Sequence, residues 1–272
     1  IFYKRGLAYV NPFCMLLCII KTLQQIKIMA EFNFPTETVM LPSKGHFYAE
    51  DSPLAAGEVE IKYMTAREED ILTNQNYITN GTVLDKLLES LIVSPKFTVD
   101  DLLLGDKNAL LIAARVLGYG AEYPVRIAGV DDVVNLSELD NIDIDFDNLP
   151  KGKNEFEFRL PKADTVVKFK LLTGKDEKRI EKYIEGIMKI RPVSSPAIST
   201  RLKTIITAVE GDGAAKSVGE FVDNFMLAMD SRAFRKHYKT CMPDVNMTFR
   251  SSAGIDREIP IGLSFFWPDS DL

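Results

Sequence analysis

The sequence predicts an α+β protein, with helical N-terminal and C-terminal portions around a small antiparallel β-module. Three observations predict it. Apolar residues recur at helical spacing in residues 58–118 and again after Thr173, the mark of amphipathic helices. Between them, in residues 119–172, apolar and polar residues alternate, the period of a half-buried strand. The links between those alternating runs are mostly too short for crossovers, so the strands should be antiparallel.

Residues 1–28 stand apart. They hold four of the 33 bases and none of the 39 acids, so residues 29–272 carry a net charge of −10. This predicts a segment translated upstream of a start at Met29, with a signal or anchor as the alternative. Its apolar run, Phe13 to Ile20, is far shorter than the ~20 residues that span a bilayer. Residues 29–57, with Pro35, Pro42, Gly45, Pro53 and Gly57, read as an extended arm with turns. The arm could wrap its own domain or a neighbour.

Residues 58–118 read as a mainly helical module that opens on a short strand, Glu58 to Met64. Thr65 with Glu68 is a capping-box pattern, and Thr98 with Asp101 a second start, ended by Gly105. Leu84, Leu87, Leu88, Leu91 and Ile92 form one stripe; Leu110, Ala113, Ala114 and Leu117 form another that stops at Gly118, read as its C-cap. In the module at 119–172 the alternating sets are Tyr123/Val125/Ile127, Ile142/Ile144/Phe146, Phe156/Phe158/Leu160 and Val167/Phe169/Leu171.

Residues 173–272 read as helices followed by strands. Thr173 and Asp176 start a helix carrying Ile180, Tyr183, Ile184, Ile187 and Met188. Leu202, Ile205, Ile206 and Val209 mark the next helix; Ser217 and Glu220 cap one that carries Val218, Phe221, Val222, Phe225 and Met229. Arg232, Arg235 and His237 fall on a fourth helix after Asp230. Strand-like stretches at Val245–Phe249 and Ile259–Phe265 lead to Phe266-Trp267-Pro268.

Composition limits the function classes. The chain has 272 residues, 46% apolar and 26% charged, which excludes wholesale disorder, collagen and coiled coil. A net charge of −6 speaks against nucleic-acid binding by the whole surface, since phosphates need a basic face. Arg232, Arg235, Lys236 and Lys239 are the one basic helix face. Three cysteines and two histidines fit a reducing cytoplasm and leave no disulfide scaffold or Cys/His zinc site. No cofactor and no metal is expected.

Gly211-Asp212-Gly213-Ala214-Ala215-Lys216-Ser217 imitates a phosphate loop, but Ala215 stands where glycine should precede the lysine. A link between helices, capped by Ser217, is the expectation; a nucleotide hydrolase is the alternative. Asp140, Asp143, Asp145 and Asp147 read as the wet face of an edge strand rather than a calcium loop. His46, His237 and Cys241 have no nucleophilic motif around them. Candidate partner-binding residues are therefore Leu41, Pro42 and Tyr48 of the arm, Arg232 and Arg235, and Phe265, Phe266 and Trp267. Three consecutive aromatics on a strand would point to alternate faces, so they would either anchor an interface or close a sheet onto its core.

Several motifs then stand in order: Leu41-Pro42-Ser43-Lys44-Gly45 with Tyr48; Thr65-Ala66-Arg67-Glu68-Glu69-Asp70-Ile71-Leu72; Gly105-Asp106-Lys107-Asn108-Ala109; Arg115-Val116-Leu117-Gly118-Tyr119-Gly120; Leu171-Leu172-Thr173-Gly174; Asp230-Ser231-Arg232-Ala233; and Ile259-Pro260-Ile261 before Phe265-Phe266-Trp267-Pro268. Across Phe34 to Asp269 this set resembles the baseplate hub proteins of T-even-like contractile-tailed bacteriophages. The resemblance implies a non-enzymatic hub subunit or hub-assembly factor, acting in the host cytoplasm or the tail baseplate. Its partners would be other tail proteins or a second copy, not nucleic acid or membrane. It offers no catalytic residues. The cysteine pairs of some relatives are absent here from Ile127–Asp132 and Arg250–Gly254, so no metal is expected at those turns.

Overall fold

The arm folds back on its own chain. In the computed structural model, which describes residues 35–93, 97–127, 130–190, 196–251 and 254–266, strand β1 (Thr36–Met40) pairs antiparallel with β2 (Glu58–Lys62). The expected upstream extension at 1–28 and the loop at Pro192 lie outside the described residues. Leu41, Phe47 and Leu54 are buried, so the arm covers its own core. Gly45 turns at φ 74°, and a Cβ there would lie 2.4 Å from the Ala55 carbonyl oxygen. No other residue fits that turn.

Helices α1 (Ala66–Leu72), α2 (Gln75–Thr79), α3 (Val83–Leu91) and α4 (Leu104–Tyr119) follow. The box at α1 forms as the sequence predicts. Glu68 accepts from Thr65 N at 2.9 Å and Thr65 Oγ1 at 2.6 Å, and also from Ser90 Oγ at 2.7 Å and Lys62 Nζ at 2.9 Å. Burial pushes this carboxyl up; the bonds from Ser90, Thr65 and Lys62 outweigh it and hold it at about 2. Two glycine assignments change. Helix α4 runs past Gly118 and ends at Gly120, whose φ of 87° a side chain disfavours. Gly105 ends nothing: it sits in the first turn of α4, where a Cβ would lie 1.8 Å from Pro243 O. Close approach of two backbones, not a turn, demands that glycine.

The β-module consists of two hairpins with separate cores. Strands β3 (Glu122–Ile127) and β4 (Val130–Asn135) pair with each other. Strands β5 (Phe156–Arg159) and β6 (Val166–Phe169) pair and gain a third strand, β7 (Ile206–Val209). The expected strand at Ile142/Ile144/Phe146 does not form. Asn141 makes a single bridge to Val245, and Asp145 caps a 3-10 turn at Phe146–Asn148. Short acids bond the nearby backbone and so compete with a strand ladder.

The C-terminal portion holds α5 (Gly174–Ile190), α6 (Ala197–Ile205), α7 (Ala215–Glu220) and α8 (Ala228–Cys241). The predicted helix through Val209 breaks at Ile206, because β-branched Ile206 and Thr207 continue as β7 beside β6. Helix α7 is capped at Ala214, so Ser217 lies inside it and caps nothing. A short hairpin, β8 (Thr248–Arg250) with β9 (Asp256–Glu258), replaces the two longer strands expected there. Leu263–Phe266 is a 3-10 turn. Successive side chains on such a turn are about 120° apart rather than opposed. Phe265 and Phe266 therefore enter one core, both 0% exposed. Among the described residues no helix is long and apolar enough to cross a membrane.

Two apolar clusters result. One gathers the arm, α3, α4 and the C-terminal phenylalanines; the other gathers β5–β7, α6 and α8; Tyr48 packs against both. Buried polar groups join them. Asp106 accepts from Ser43 N at 2.9 Å, Ser43 Oγ at 2.7 Å and Tyr48 OH at 2.6 Å, while Tyr48 OH accepts from Leu103 N at 2.8 Å. Burial pushes the Asp106 carboxyl up against the pull of those bonds. Asp85 of α3 pairs with Lys107 of α4 at 2.5 Å and Lys178 of α5 at 2.8 Å. Arg115 is buried and donates to Phe265 O at 3.1 Å and Gly120 O at 3.0 Å, tying the C-terminal turn to the end of α4.

Asp106→Ala orphans three donors in the core and should cost about 3 kcal/mol. Asp106→Asn, with one acceptor oxygen left, should fall between; urea unfolding and hydrogen exchange at residues 41–48 report both. Glu68→Gln should cost about 2 kcal/mol at neutral pH. The folded value of about 2 lies below the ordinary 4.5, so the advantage of wild type is complete above pH 4.5 and fades as the pH falls towards 2. Paired urea titrations from neutral pH downward measure that window.

Candidate docking surface

The structure sorts the predicted partner-binding residues sharply. Leu41, Pro42, Phe265 and Phe266 are buried and serve the fold, not a surface. Tyr48 is half-buried with its hydroxyl committed to Asp106 and Leu103. Trp267 lies outside the described residues. Arg232 and Arg235 are exposed on α8 as expected, with Lys236 and Lys239 beside them.

Helices α6 and α8 flank a groove that sequence reading missed. One stretch has a volume of about 510 Å³, with Leu172, Leu202, Ile205 and Met242 in its walls and Arg201, Arg235 and Lys239 among its polar residues. A second stretch of about 600 Å³ shares Ala197, Ile198 and Leu202 and reaches Met226 and Ala228. The α8 contribution, Ala228, Ser231, Arg235, Tyr238, Lys239 and then Met242, repeats at intervals of three and four, one side of a helix. Leu202 and Ile205 are buried, so they belong to the core as well as the groove.

Large apolar side chains stand open near one end. Ile198 is 56% exposed, Phe225 64% and Met229 65%, and Leu227 is also exposed. Phe225 and Met229 were expected in the core stripe of Val218 and Val222. A π-helical turn at Phe221–Phe225, in which Met226 N bonds Phe221 O, five residues back, at 2.8 Å, turns Phe225 out, and an extended break at Met226–Leu227 places Met229 on a separate helix, α8. The wider turn shifts the helical phase across it, so Val222 stays buried while Phe225 swings out. On α5, Ile180 is buried, but Tyr183 and Met188 of its stripe are exposed, as is Ile190.

The reactive-looking groups are quiet. His237 stacks on Phe158 with ring centres 4.5 Å apart, and its Nε2 lies 3.6 Å from Cys241 Sγ. Burial lowers the imidazole and raises the thiol, so both are neutral at pH 7 and no thiolate–imidazolium pair forms. Burial also pushes the Tyr238 hydroxyl up to about 12, and it accepts from Leu172 N at 3.1 Å. His46 Nε2 lies 3.2 Å from Leu149 O.

The phosphate-loop lookalike follows a strand, β7, not the helix expected. Asp212 Oδ1 accepts from Ala214 N at 2.9 Å, so a carboxylate already holds an amide that an anion would need. Lys216 points to Glu220, 3.8 Å away, on a helix of six residues. Among the described residues no group of three or more His, Cys, Asp or Glu side chains could hold a metal ion. Comparisons with protein families, curated proteins and solved structures found no match.

At neutral pH, iodoacetamide should leave Cys241 unmodified in the folded chain and label it in urea, as read by peptide mass mapping. Rapid labelling of the native protein at Cys241 would contradict the buried, protonated thiol.

Proposed function

We propose that this chain is a docking subunit of a contractile phage tail baseplate, a hub component or a factor that assembles the hub. One observation carries the docking half: Ile198 stands exposed in an apolar groove with a cationic edge, and Phe225, Leu227 and Met229 stand exposed where the chain enters α8. Exposed apolar side chains gathered at one place gain free energy when a partner covers them. The phage half rests on the ordered motifs. Supporting it, separate motifs meet in space: Ser43 of the first bonds Asp106 of the third, and Arg115 of the fourth bonds the Phe265 carbonyl of the last. The shared residues are those that hold a fold, so a similar sequence in a hub protein carries a similar scaffold.

The mechanism follows from the surface. A subunit with an open apolar face binds a partner by burying that face, and a helper would cover an interface until the next subunit displaces it. No bond is made or broken. The basic edge adds speed and choice of partner rather than bulk affinity.

Tail proteins co-expressed with the tagged chain should be retained on it. Phe225→Asp/Met229→Asp should lose at least about tenfold in retention with an unchanged melting temperature, since both side chains are already in water. Retention of no tail protein, or equal retention by the variant, would overturn the reading. Mass spectrometry of purified virions then separates a resident subunit from a transient helper.

A further inference from the structure

We infer that the groove flanked by α6 and α8 receives an acidic amphipathic helix from the partner protein. This rests on the docking function proposed above and states the chemistry of the segment that fills it.

Shape argues for a helix. From Ala228 to Met242 the groove follows α8 for about 21 Å at 1.5 Å per residue, the length of four turns. Its lining residues come from helices and loops, with no strand among them, so the groove offers no ladder of amides to an extended peptide. Apolar floor residues spaced along two helices are met by anchors at i, i+3 or i+4, and i+7 of a third.

Charge argues for acid. Arg232, Arg235, Lys236 and Lys239 make no ion pair with an acid among the described residues; Arg235 Nε donates only to Ser231 O, at 3.3 Å. Arg201, across the groove, is held by Glu177, with Nη1 to Oε2 at 2.9 Å. The uncommitted cations therefore lie along α8. In a chain of net charge −6 they are a local exception, and within a Debye length of roughly 8 Å local charge decides. Asp244 stands at the far end, bonded to Asn108 Nδ2 at 3.1 Å, and disfavours acid there. The partner's carboxylates are thus placed along the middle of α8, against Arg235 and Lys239, while its apolar face enters towards Leu202 and Ile205.

The test uses the full chain and a fluorescent peptide of about four turns, with Leu at three- and four-residue spacing and Glu between. A second peptide carries Lys for Glu, and a single-stranded oligodeoxynucleotide is the third probe. Anisotropy should show the Leu/Glu peptide binding at least about tenfold tighter than the Leu/Lys peptide, with affinity falling as salt rises. Arg235→Glu/Lys239→Glu should reverse the preference, while Arg235→Lys should keep it. Equal binding of both peptides, or no effect of the double reversal, would overturn the inference. So would binding of the oligonucleotide alone, or sedimentation showing that the double reversal dissolves a dimer of this chain. If tail proteins are still retained by Arg235→Glu/Lys239→Glu, the groove assignment fails and the docking function stands. If Phe225→Asp/Met229→Asp retains them equally while the peptide preference holds, the groove stands and the docking reading fails.

Discussion

A single buried carboxylate organises this fold. Asp106 takes three hydrogen bonds from the arm, two from Ser43 and one from Tyr48, and it stands one residue after Gly105, which lets α4 touch Pro243. A buried charge is costly unless its lone pairs are filled. The donors that fill them come from a segment about sixty residues earlier, so the arm must lie where it does. The same tyrosine hydroxyl then catches Leu103 N, and its ring touches both apolar clusters.

Other buried ions repeat this logic. Asp85 draws Lys107 and Lys178 onto three helices, and Arg115 holds the Leu263–Phe266 turn to the end of α4 through backbone carbonyls. Such groups add little net stability over apolar substitutes. Their effect is geometric: each allows one arrangement of the elements around it. At the surface, the π-helical turn at Phe221–Phe225 leaves Phe225 exposed, and the extended break after it starts α8 with Met229 exposed.

Much of this was legible from local patterns. The Thr65/Glu68 box, the Leu87/Leu88/Leu91 stripe, the Phe156/Phe158 and Val167/Phe169 alternations and the exposed Arg232/Arg235 face all depend on neighbours within one turn or one strand. The candidate site was legible only in its charges. Its apolar half was hidden because Phe225 and Met229 keep helical spacing on paper; the π turn and the break before α8 that expose them are backbone events. Phe265 and Phe266 misled in the opposite sense, since a 3-10 turn and a strand read alike over four residues. Arg115 left one trace, a charge inside the apolar run Ala113–Leu117, which marks a buried polar group without naming its partner; Asp106, followed by Lys107 and Asn108, left none.

The sequence by itself determined the α+β class, the helix starts at Thr65 and Thr173, the antiparallel pairing and the basic face of α8, because each follows from periodicity, capping chemistry or short links. Only the tertiary structure decided which glycine ends α4, where the helix after Pro196 gives way to β7, and which aromatic side chains are covered. Those choices turn on contacts between residues far apart in the chain: Gly105 with Pro243, Ile206 with Phe169, Arg115 with Phe265. Local spacing carries no information about such distant neighbours, and packing energy between them outweighs the small preferences that spacing records.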